Sequence, residues 1–222
     1  MDLVANSITI FLLILSALFP IVNPLSGSPI FLGLTKQYAA DAHRALSWKV
    51  AWNSFFLMVG SYFIGAHILS FFGLSLPVVQ VGGGLVVVSM GWSFLMKGEE
   101  VGDAKEKHAP QQDMFRHAFY PLTMPLTVGP GSISVAVTLG ANTTISYGMH
   151  VWTIIAALTA MAVIAVSVFL CYGYADRLAR ILGETGTIVI IRLSSFLLLC
   201  IGIQIMWNGM SALLATVQLH IQ

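Results

Sequence analysis

The chain has 222 residues, of which 57% are hydrophobic and only 9% are charged. Soluble domains carry about 25% charged residues, so this composition excludes a soluble domain and indicates an integral membrane protein. The net charge of +1 is uninformative, and no nucleic-acid partner is expected.

Six apolar stretches are each long enough to cross a bilayer, which takes about 20 residues in a helix. We therefore predict an all-α membrane protein with six transmembrane helices and a single transmembrane domain over residues 1–222. The predicted spans are 4–34, 45–72, 76–97, 115–140, 148–174 and 185–216.

Basic residues occur on one side of the predicted membrane only. Nine of the ten Lys and Arg residues flank the first, third and fifth connections, and none lies at the other ends of the spans. Because basic residues mark the cytoplasmic side, both termini are expected outside. The nine residues are Lys36, Arg44, Lys49, Lys97, Lys105, Lys107, Arg116, Arg177 and Arg180.

Two proline-rich segments, "FPIVNPLSGSPI" (19–30) and "YPLTMPLTVGPG" (120–131), lie inside apolar stretches. Proline in a helix interior removes a backbone donor and costs about 3 kcal/mol. The prolines of the two segments match at one constant spacing of 101 residues. The matched pairs are Pro20 and Pro121, Pro24 and Pro125, and Pro29 and Pro130.

This match indicates a duplicated unit of three spans, with repeat 1 at about 1–97, a cytoplasmic linker at about 98–114 and repeat 2 at about 115–222. Weaker similarities follow at spacings of 110 and 112 residues, the latter pairing Gln80 with Arg192. Because three is odd, the second unit enters the membrane inverted. Inverted repeats with interrupted helices at matching positions (here the first and fourth) are typical of secondary transporters.

The interruptions predict a binding site. Ser28-Pro29 and Gly129-Pro130 have the pattern of helix starts, with a capping residue before a proline. Free N–H groups at such starts and carbonyls freed by the prolines suit the two ends of a zwitterion. Kinked helices that simply pack together are the structural alternative. The candidate residues in these segments are Asn23, Ser26, Gly27, Ser28, Thr123, Thr127, Gly129, Gly131 and Ser132.

Arg192 is the one charged residue well inside a predicted span. Charge at that depth marks function by default, so Arg192 and its repeat partner Gln80 join the candidate site. The alternative is that Arg192 extends to the interface. Gly82, Gly83 and Gly84 predict a close helix–helix contact.

No catalytic constellation is present, so no enzyme activity and no cofactor are expected. Cys171 and Cys200 lie inside apolar spans without a Cys-x-x-Cys motif or a nearby His cluster. They are interpreted as small apolar residues, and no metal site is predicted.

The segments "NPLSGSPIFLGLT", "PLTMPLTVGPGSI" and "RLSSFLLLCIGIQIMWNGM" resemble the signature segments of the MarC family of bacterial inner-membrane proteins. The resemblance covers nearly the whole chain. The motif positions of that family correspond here to Asn23, Pro24, Gly27, Pro29, Pro121, Pro125, Gly129, Pro130, Gly131 and Arg192. Family members often have an arginine where this chain has Gln80.

The resemblance implies a multi-pass protein of the bacterial inner membrane, in a family whose members are described as transporters, some of them of small neutral amino acids. We therefore expect a secondary transporter of small neutral or zwitterionic solutes, with small neutral amino acids as the leading substrates and the site at the paired broken helices. Its partners would be a small-molecule solute and the lipid bilayer, with homo-oligomer formation left open. A channel, an efflux protein for another small solute, and a non-transporting membrane scaffold are the alternatives. The family is usually grouped with a wider LysE-like set, which resembles transmembrane electron carriers that also have two proline-broken helices in inverted repeats. The chemistry of those carriers needs a cysteine beside each break, and this chain has Asn23 and Met124 there, so a thiol mechanism is not expected.

Overall fold

The computed structural model describes residues 2–35, 38, 40–97, 118–147 and 150–219. These residues are almost entirely helical and include no strand, so the all-α prediction is confirmed for this part of the chain. In chain order the helices are α1 (Asp2–Val22), α2 (Pro24–Thr35), α3 (Ala40–Phe71), α4 (Leu76–Lys97), α5 (Ala118–Thr127), α6 (Pro130–Tyr147), α7 (Val151–Gly173) and α8 (Ala175–Leu219).

Among the described residues, five helical segments are long and apolar enough to cross a membrane, or six if the bent pair α5 and α6 counts as one span. The limits of all six agree with the predicted ones to within three residues. The first span, Asn6–Thr35, combines α1 and α2, and the α5–α6 pair is bent by 68°. The predicted linker 98–114 and the basic residues Lys36, Lys105, Lys107 and Arg116 lie outside the described residues.

The core lies between α1, α3, α6 and α7. Helix α1 buries Ile10, Ile14 and Leu18 at a spacing of four residues, which places them on one helix face. Helix α7 contacts α1, α2 and α3, and a larger share of it is buried than of the other four single spans. Its buried Ala157 and Ala160 let neighbouring backbones approach closely, as small residues do at helix interfaces in membranes.

Helices α4 and α8 form the most extensive helix pair. They run antiparallel, and glycines bring their backbones into contact. A Cβ atom at Gly84 would lie 2.6 Å from the backbone nitrogen of Met206, and one at Gly202 would lie 2.7 Å from that of Val88. No side chain fits at either position, so the close packing expected for Gly84 is present. Gly82, by contrast, has open space around it.

The contacts of this pair repeat themselves. A Cβ atom at Gly91 would meet Ser195 and Leu199, and one at Gly209 would meet Pro77 and Val81. Gly84 and Gly202 are 118 residues apart, as are Gly91 and Gly209 (202 − 84 and 209 − 91). A residue of the third span and the residue 118 positions later in the sixth span therefore have equivalent positions in the contact. The 112-residue alignment that paired Gln80 with Arg192 does not describe this contact.

Candidate functional site

The first proline segment is interrupted at a single residue, Asn23. Its φ of 45° is left-handed, a conformation that asparagine tolerates better than most residues. The Asn23 side-chain oxygen accepts a long hydrogen bond, 3.4 Å, from the backbone N–H of Ser26. Asn23 thus caps α2, and Pro24 takes the first helical position, where a missing N–H costs nothing.

The predicted helix start at Ser28-Pro29 is therefore wrong, because α2 begins at Pro24 and Pro29 lies inside it. The Ser28 hydroxyl does not cap a helix. It donates a hydrogen bond of 2.9 Å to the backbone carbonyl of Cys171 in α7. Both asparagine and serine are good capping residues, and here the packing of Ser28 against α7 leaves that role to Asn23.

The second proline segment, α5, is an irregular helix with wide turns. Tyr120 and Met124 have extended backbones, as expected for residues that precede a proline, and both peptide bonds to the following prolines are cis. Two threonine hydroxyls in α5 bond to backbone carbonyls five residues earlier: Thr123 donates to Ala118 and Thr127 to Leu122, each at 2.7 Å. Irregular backbone can persist in a membrane when such partners are available.

Helix α6 begins at Pro130, directly after Gly129, as the sequence predicts. The carbonyl of Gly129 accepts the first hydrogen bond of the helix, 3.1 Å from the backbone nitrogen of Ile133. Gly129 and Gly131 are both buried. A Cβ atom at Gly129 would lie 3.1 Å from the carbonyl oxygen of Pro125, so the close turn between α5 and α6 favours glycine.

The two proline segments meet around two adjacent small cavities. Both cavities are bordered by Ile21, Met90, Leu126 and Leu198. The first turn of α2 lines one of them and the first turn of α6 lines the other. The predicted residues among the lining are Asn23, Ser26 and Gly27 in the first cavity, and Pro125, Thr127, Gly129, Gly131 and Ser132 in the second.

Both cavities are small in this conformation. Their volumes are about 30 Å³ on the α2 side and about 10 Å³ on the α6 side. A buried water needs roughly 10–15 Å³ on this measure, so the space holds a few waters at most and no free amino acid. No charged residue is among those lining either cavity. The starts of α2 and α6, where backbone N–H groups lack helical partners, provide the polar character.

Four predicted residues do not line these cavities. Ser28 bonds to Cys171, as described, and Thr123 is fully buried with its hydroxyl on Ala118. Gln80 is half-buried near Gly209 at the α4–α8 contact. Arg192 is exposed on the outside of α8, a position that favours the alternative in which its side chain extends to the interface.

The sequence reasoning missed Tyr172. Its side chain is 1% exposed, and its hydroxyl lies 3.0 Å from that of Thr127. Its ring stacks on Phe31, with centroids 4.7 Å apart. A Cβ atom at Gly27 would collide with the Tyr172 hydroxyl, so Tyr172 explains why position 27 is glycine. The available signal was a tyrosine inside an apolar span, since a buried hydroxyl requires a partner.

Within the described part of the chain, no three His, Cys, Asp or Glu side chains group in a way that could hold a metal ion. Cys171 is half-buried and Cys200 exposed, and neither forms a disulfide. The site around the proline segments is therefore built from neutral side chains and backbone groups.

The family model and the curated relatives that match this chain all belong to one family. The family model described as "MarC family integral membrane protein" matches residues 8–214. The inner membrane protein MarC of Salmonella typhimurium is 30% identical over 211 residues, covering 91% of this chain and 94% of the relative. The MarC proteins of Citrobacter koseri and Escherichia coli O1:K1 are 32% and 28% identical, with the same coverage.

No solved structure matches the chain. The relatives are inner membrane proteins by name, in agreement with the apolar helices. The match extends over almost all of both chains, and it includes both proline segments and the α4–α8 pair. This chain is a member of the MarC family of integral membrane proteins.

Proposed function

We propose that this protein is a secondary transporter of small neutral or zwitterionic solutes, with small neutral amino acids as the leading substrates. The observation that carries the proposal is the meeting of the two proline segments around shared cavities. Interrupted helices whose starts converge at a common site are the usual binding element of such transporters.

The chemistry of the lining supports a neutral or zwitterionic solute. The start of α6 borders one cavity and offers first-turn N–H groups to a carboxylate, whereas at the start of α2 the Ser26 N–H is already bonded to Asn23. Asn23, Ser26 and Ser132 add small neutral hydrogen-bonding groups. A solute with net charge would find no charged side chain of opposite sign among the lining residues.

The helix contacts support an inverted repeat as the framework. Mapping α1–α4 onto α5–α8 pairs the α4–α6 contact with the α8–α2 contact, and the α3–α5 contact with the α7–α1 contact. The α4–α8 contact agrees with this mapping, because adding 118 to the residue numbers of α4 gives the residues of α8 that make the equivalent contacts. Since the cavities are too small for an amino acid in the present conformation, movement of one unit against the other would be needed to enlarge the site and expose it to either side.

Loss of either charged end of the solute is expected to weaken binding by about tenfold to a hundredfold, because buried polar groups left unpaired cost about 1–3 kcal/mol each. The loss of affinity can be measured by letting unlabelled compounds compete with labelled alanine for uptake into proteoliposomes. Alanine and serine should compete for labelled alanine, whereas their methyl esters and N-acetyl forms should not. Equal competition by acid and ester would overturn the zwitterion site, and flux that does not saturate would favour a channel.

A topology test is independent of the solute. The basic residues near the starts of α3 and α8, namely Arg44, Lys49, Arg177 and Arg180, predict that both termini face outward. A reporter that is active only in the cytoplasm should stay silent after Gln222 and be active within the linker 98–114. The reverse pattern would contradict the orientation.

A further inference from the structure

A groove on the outer surface of the helix bundle lies between α3 and α7, away from the cavities at the proline segments. Its volume is about 160 Å³, and its lining side chains are all aliphatic or aromatic. Large rings on α3 form one wall, and small residues of α7 leave the space opposite them. The residues that shape the groove are Trp48, Trp52 and Phe55 in α3, and Ala162, Ala165 and Phe169 in α7.

Ring contacts hold the aromatic wall in place. The Trp48 ring packs edge-on against Trp52 and Phe169, with centroids 5.8 Å and 5.4 Å apart. The Trp52 ring stacks on Phe56 at 5.3 Å. Edge-to-face and offset stacked pairs are the arrangements that aromatic rings prefer. Trp48 and Trp52 nevertheless remain 51% and 43% exposed, so they offer open ring surface to a molecule in the bilayer.

The groove suits a hydrocarbon chain. Apolar cavities of about 150 Å³ stay dry and take up small apolar molecules such as benzene, and this groove has a similar size and lining. Its α3 wall extends from Trp48 to Phe55, which is about 10 Å along the helix axis. Because α3 crosses the membrane, the groove has the direction of a lipid acyl chain.

One end of the groove carries a positive charge. Arg44 is exposed and lies four residues before Trp48, about 6 Å along the axis of α3. It shares a helix face with Trp48, Ala51 and Phe55, since residues spaced by four, seven and eleven positions lie on one face. A guanidinium at this position can bind a phosphate through two parallel hydrogen bonds.

The end of α7 brings a second arginine to the same end of the groove. A Cβ atom at Gly173 would lie 3.1 Å from the Ser47 hydroxyl oxygen and 3.9 Å from the Phe169 ring, so α7 ends beside the first turns of α3. Arg177 follows about one helical turn later, in α8. Its side chain is exposed, and its guanidinium lies over the ring of Tyr174.

This charge distinguishes the groove from another apolar hollow on the outer surface, which lies along residues 9–20 of α1. That stretch of α1 has no charged residue. By contrast, the α3–α7 groove ends near Arg44 and Arg177. The acidic side chain among those described at this end is Asp176, whose carboxylate faces the His43 ring at 3.6 Å.

We propose that the groove between α3 and α7 binds an anionic phospholipid, with an acyl chain against Trp48, Trp52 and Phe169 and the headgroup phosphate at Arg44 and Arg177. Basic residues near the membrane surface attract anionic lipids, and tryptophan concentrates at the level of the headgroups. A zwitterionic headgroup would bring its own positive charge to the basic end, so an anionic lipid is preferred. The site is independent of the transported solute.

Quenching of tryptophan fluorescence by brominated lipid measures occupancy of the groove. The full chain with Trp92→Phe, Trp152→Phe and Trp207→Phe keeps Trp48 and Trp52 as its two tryptophans, and the three replaced side chains are exposed and outside the groove. This protein is placed in bilayers that mix phosphatidylcholine with phosphatidylglycerol, with bromine on the acyl chains of one lipid or the other.

Phosphatidylglycerol should bind about fivefold more strongly than phosphatidylcholine, which is the effect of about one basic residue near an anionic surface. Equal quenching by the two lipids would overturn the proposal. Quenching by neither lipid would also overturn it, because protein and not lipid would then cover the groove.

The charge is tested by Arg44→Gln, with Lys49→Gln as the matched control. Lys49 is an exposed residue of the same helix, about 140° around the helix axis from Arg44 at 100° per residue. Arg44→Gln should reduce the preference for phosphatidylglycerol nearly to one, whereas Lys49→Gln should keep most of it. Equal losses in the two variants would show a general attraction to basic residues and would overturn the site.

The groove itself is tested by Ala162→Leu, which fills the space without changing a charge and decides the question even if Arg44→Gln fails to fold. Its control is Val163→Leu, the exposed neighbour on α7 that borders α1. In Ala162→Leu, quenching by brominated phosphatidylglycerol should fall to the level of phosphatidylcholine, and in Val163→Leu it should not change. Unchanged quenching in a monodisperse Ala162→Leu protein would show that no acyl chain lies in the groove.

Discussion

Gly84→Val is expected to prevent stable folding of the protein in detergent or lipid. A Cβ atom at this position would lie 2.6 Å from the Met206 nitrogen and 2.7 Å from the Gly202 carbonyl oxygen. Both are backbone atoms, so no side-chain rotation relieves the contact and α4 must move away from α8. Over-packing typically costs about 1–3 kcal/mol and sometimes more, and we expect about 3 kcal/mol or more here.

The matched control is Gly82→Val, two residues earlier on the same helix, where an added Cβ atom meets nothing within 4 Å. It carries the same change in helix propensity without the contact. The fraction of protein that elutes as a monodisperse species and its unfolding temperature measure the effect. Similar behaviour of the two variants would contradict the close α4–α8 contact.

Gly27→Ala is expected to destabilise the protein and disturb the candidate site, because the new methyl group collides with the buried Tyr172 hydroxyl. We expect a loss of about 2–3 kcal/mol in the free energy of unfolding, since both groups are enclosed. Tyr172→Phe alone should cost about 1 kcal/mol through its lost hydrogen bond to Thr127.

The double variant Gly27→Ala with Tyr172→Phe tests the cause directly. Without the hydroxyl, the added methyl group meets ring carbons at 3.1 Å, which is tight but tolerable after a small shift. The double variant should therefore lose less free energy of unfolding than the two single variants lose when their losses are added. Strictly additive costs would show that another neighbour, and not Tyr172, excludes a side chain at position 27.

The sequence alone determined the membrane class, the limits of the spans and the family. Each span is an apolar helix that satisfies its own backbone groups in lipid, so length and hydropathy locate it without knowledge of its neighbours. The repeated prolines likewise identified both unusual segments in advance. The start of α6 at Pro130 was also predictable, because Gly129 and Pro130 are local signals.

Other features depended on partners distant in the chain. Both Asn23 and Ser28 are suitable N-cap residues by local rules. In the structure Asn23 caps α2, whereas the Ser28 hydroxyl donates to the backbone carbonyl of Cys171 in α7. The hydrogen bonds of the Thr123 and Thr127 hydroxyls to nearby carbonyls required the actual path of α5. The exposed position of Arg192 depended on which face of α8 packs against α4.

The register of α4 on α8 and the position of Tyr172 were decided only by the tertiary structure. A glycine in the sequence indicates that a side chain is absent, but it does not indicate which other helix packs against that position. The 118-residue register of the glycines became visible once Gly84 and Gly202 were seen in contact. In the same way, Gly27 and Tyr172 are far apart in the chain, and only the packing of α2 on α7 brings them together.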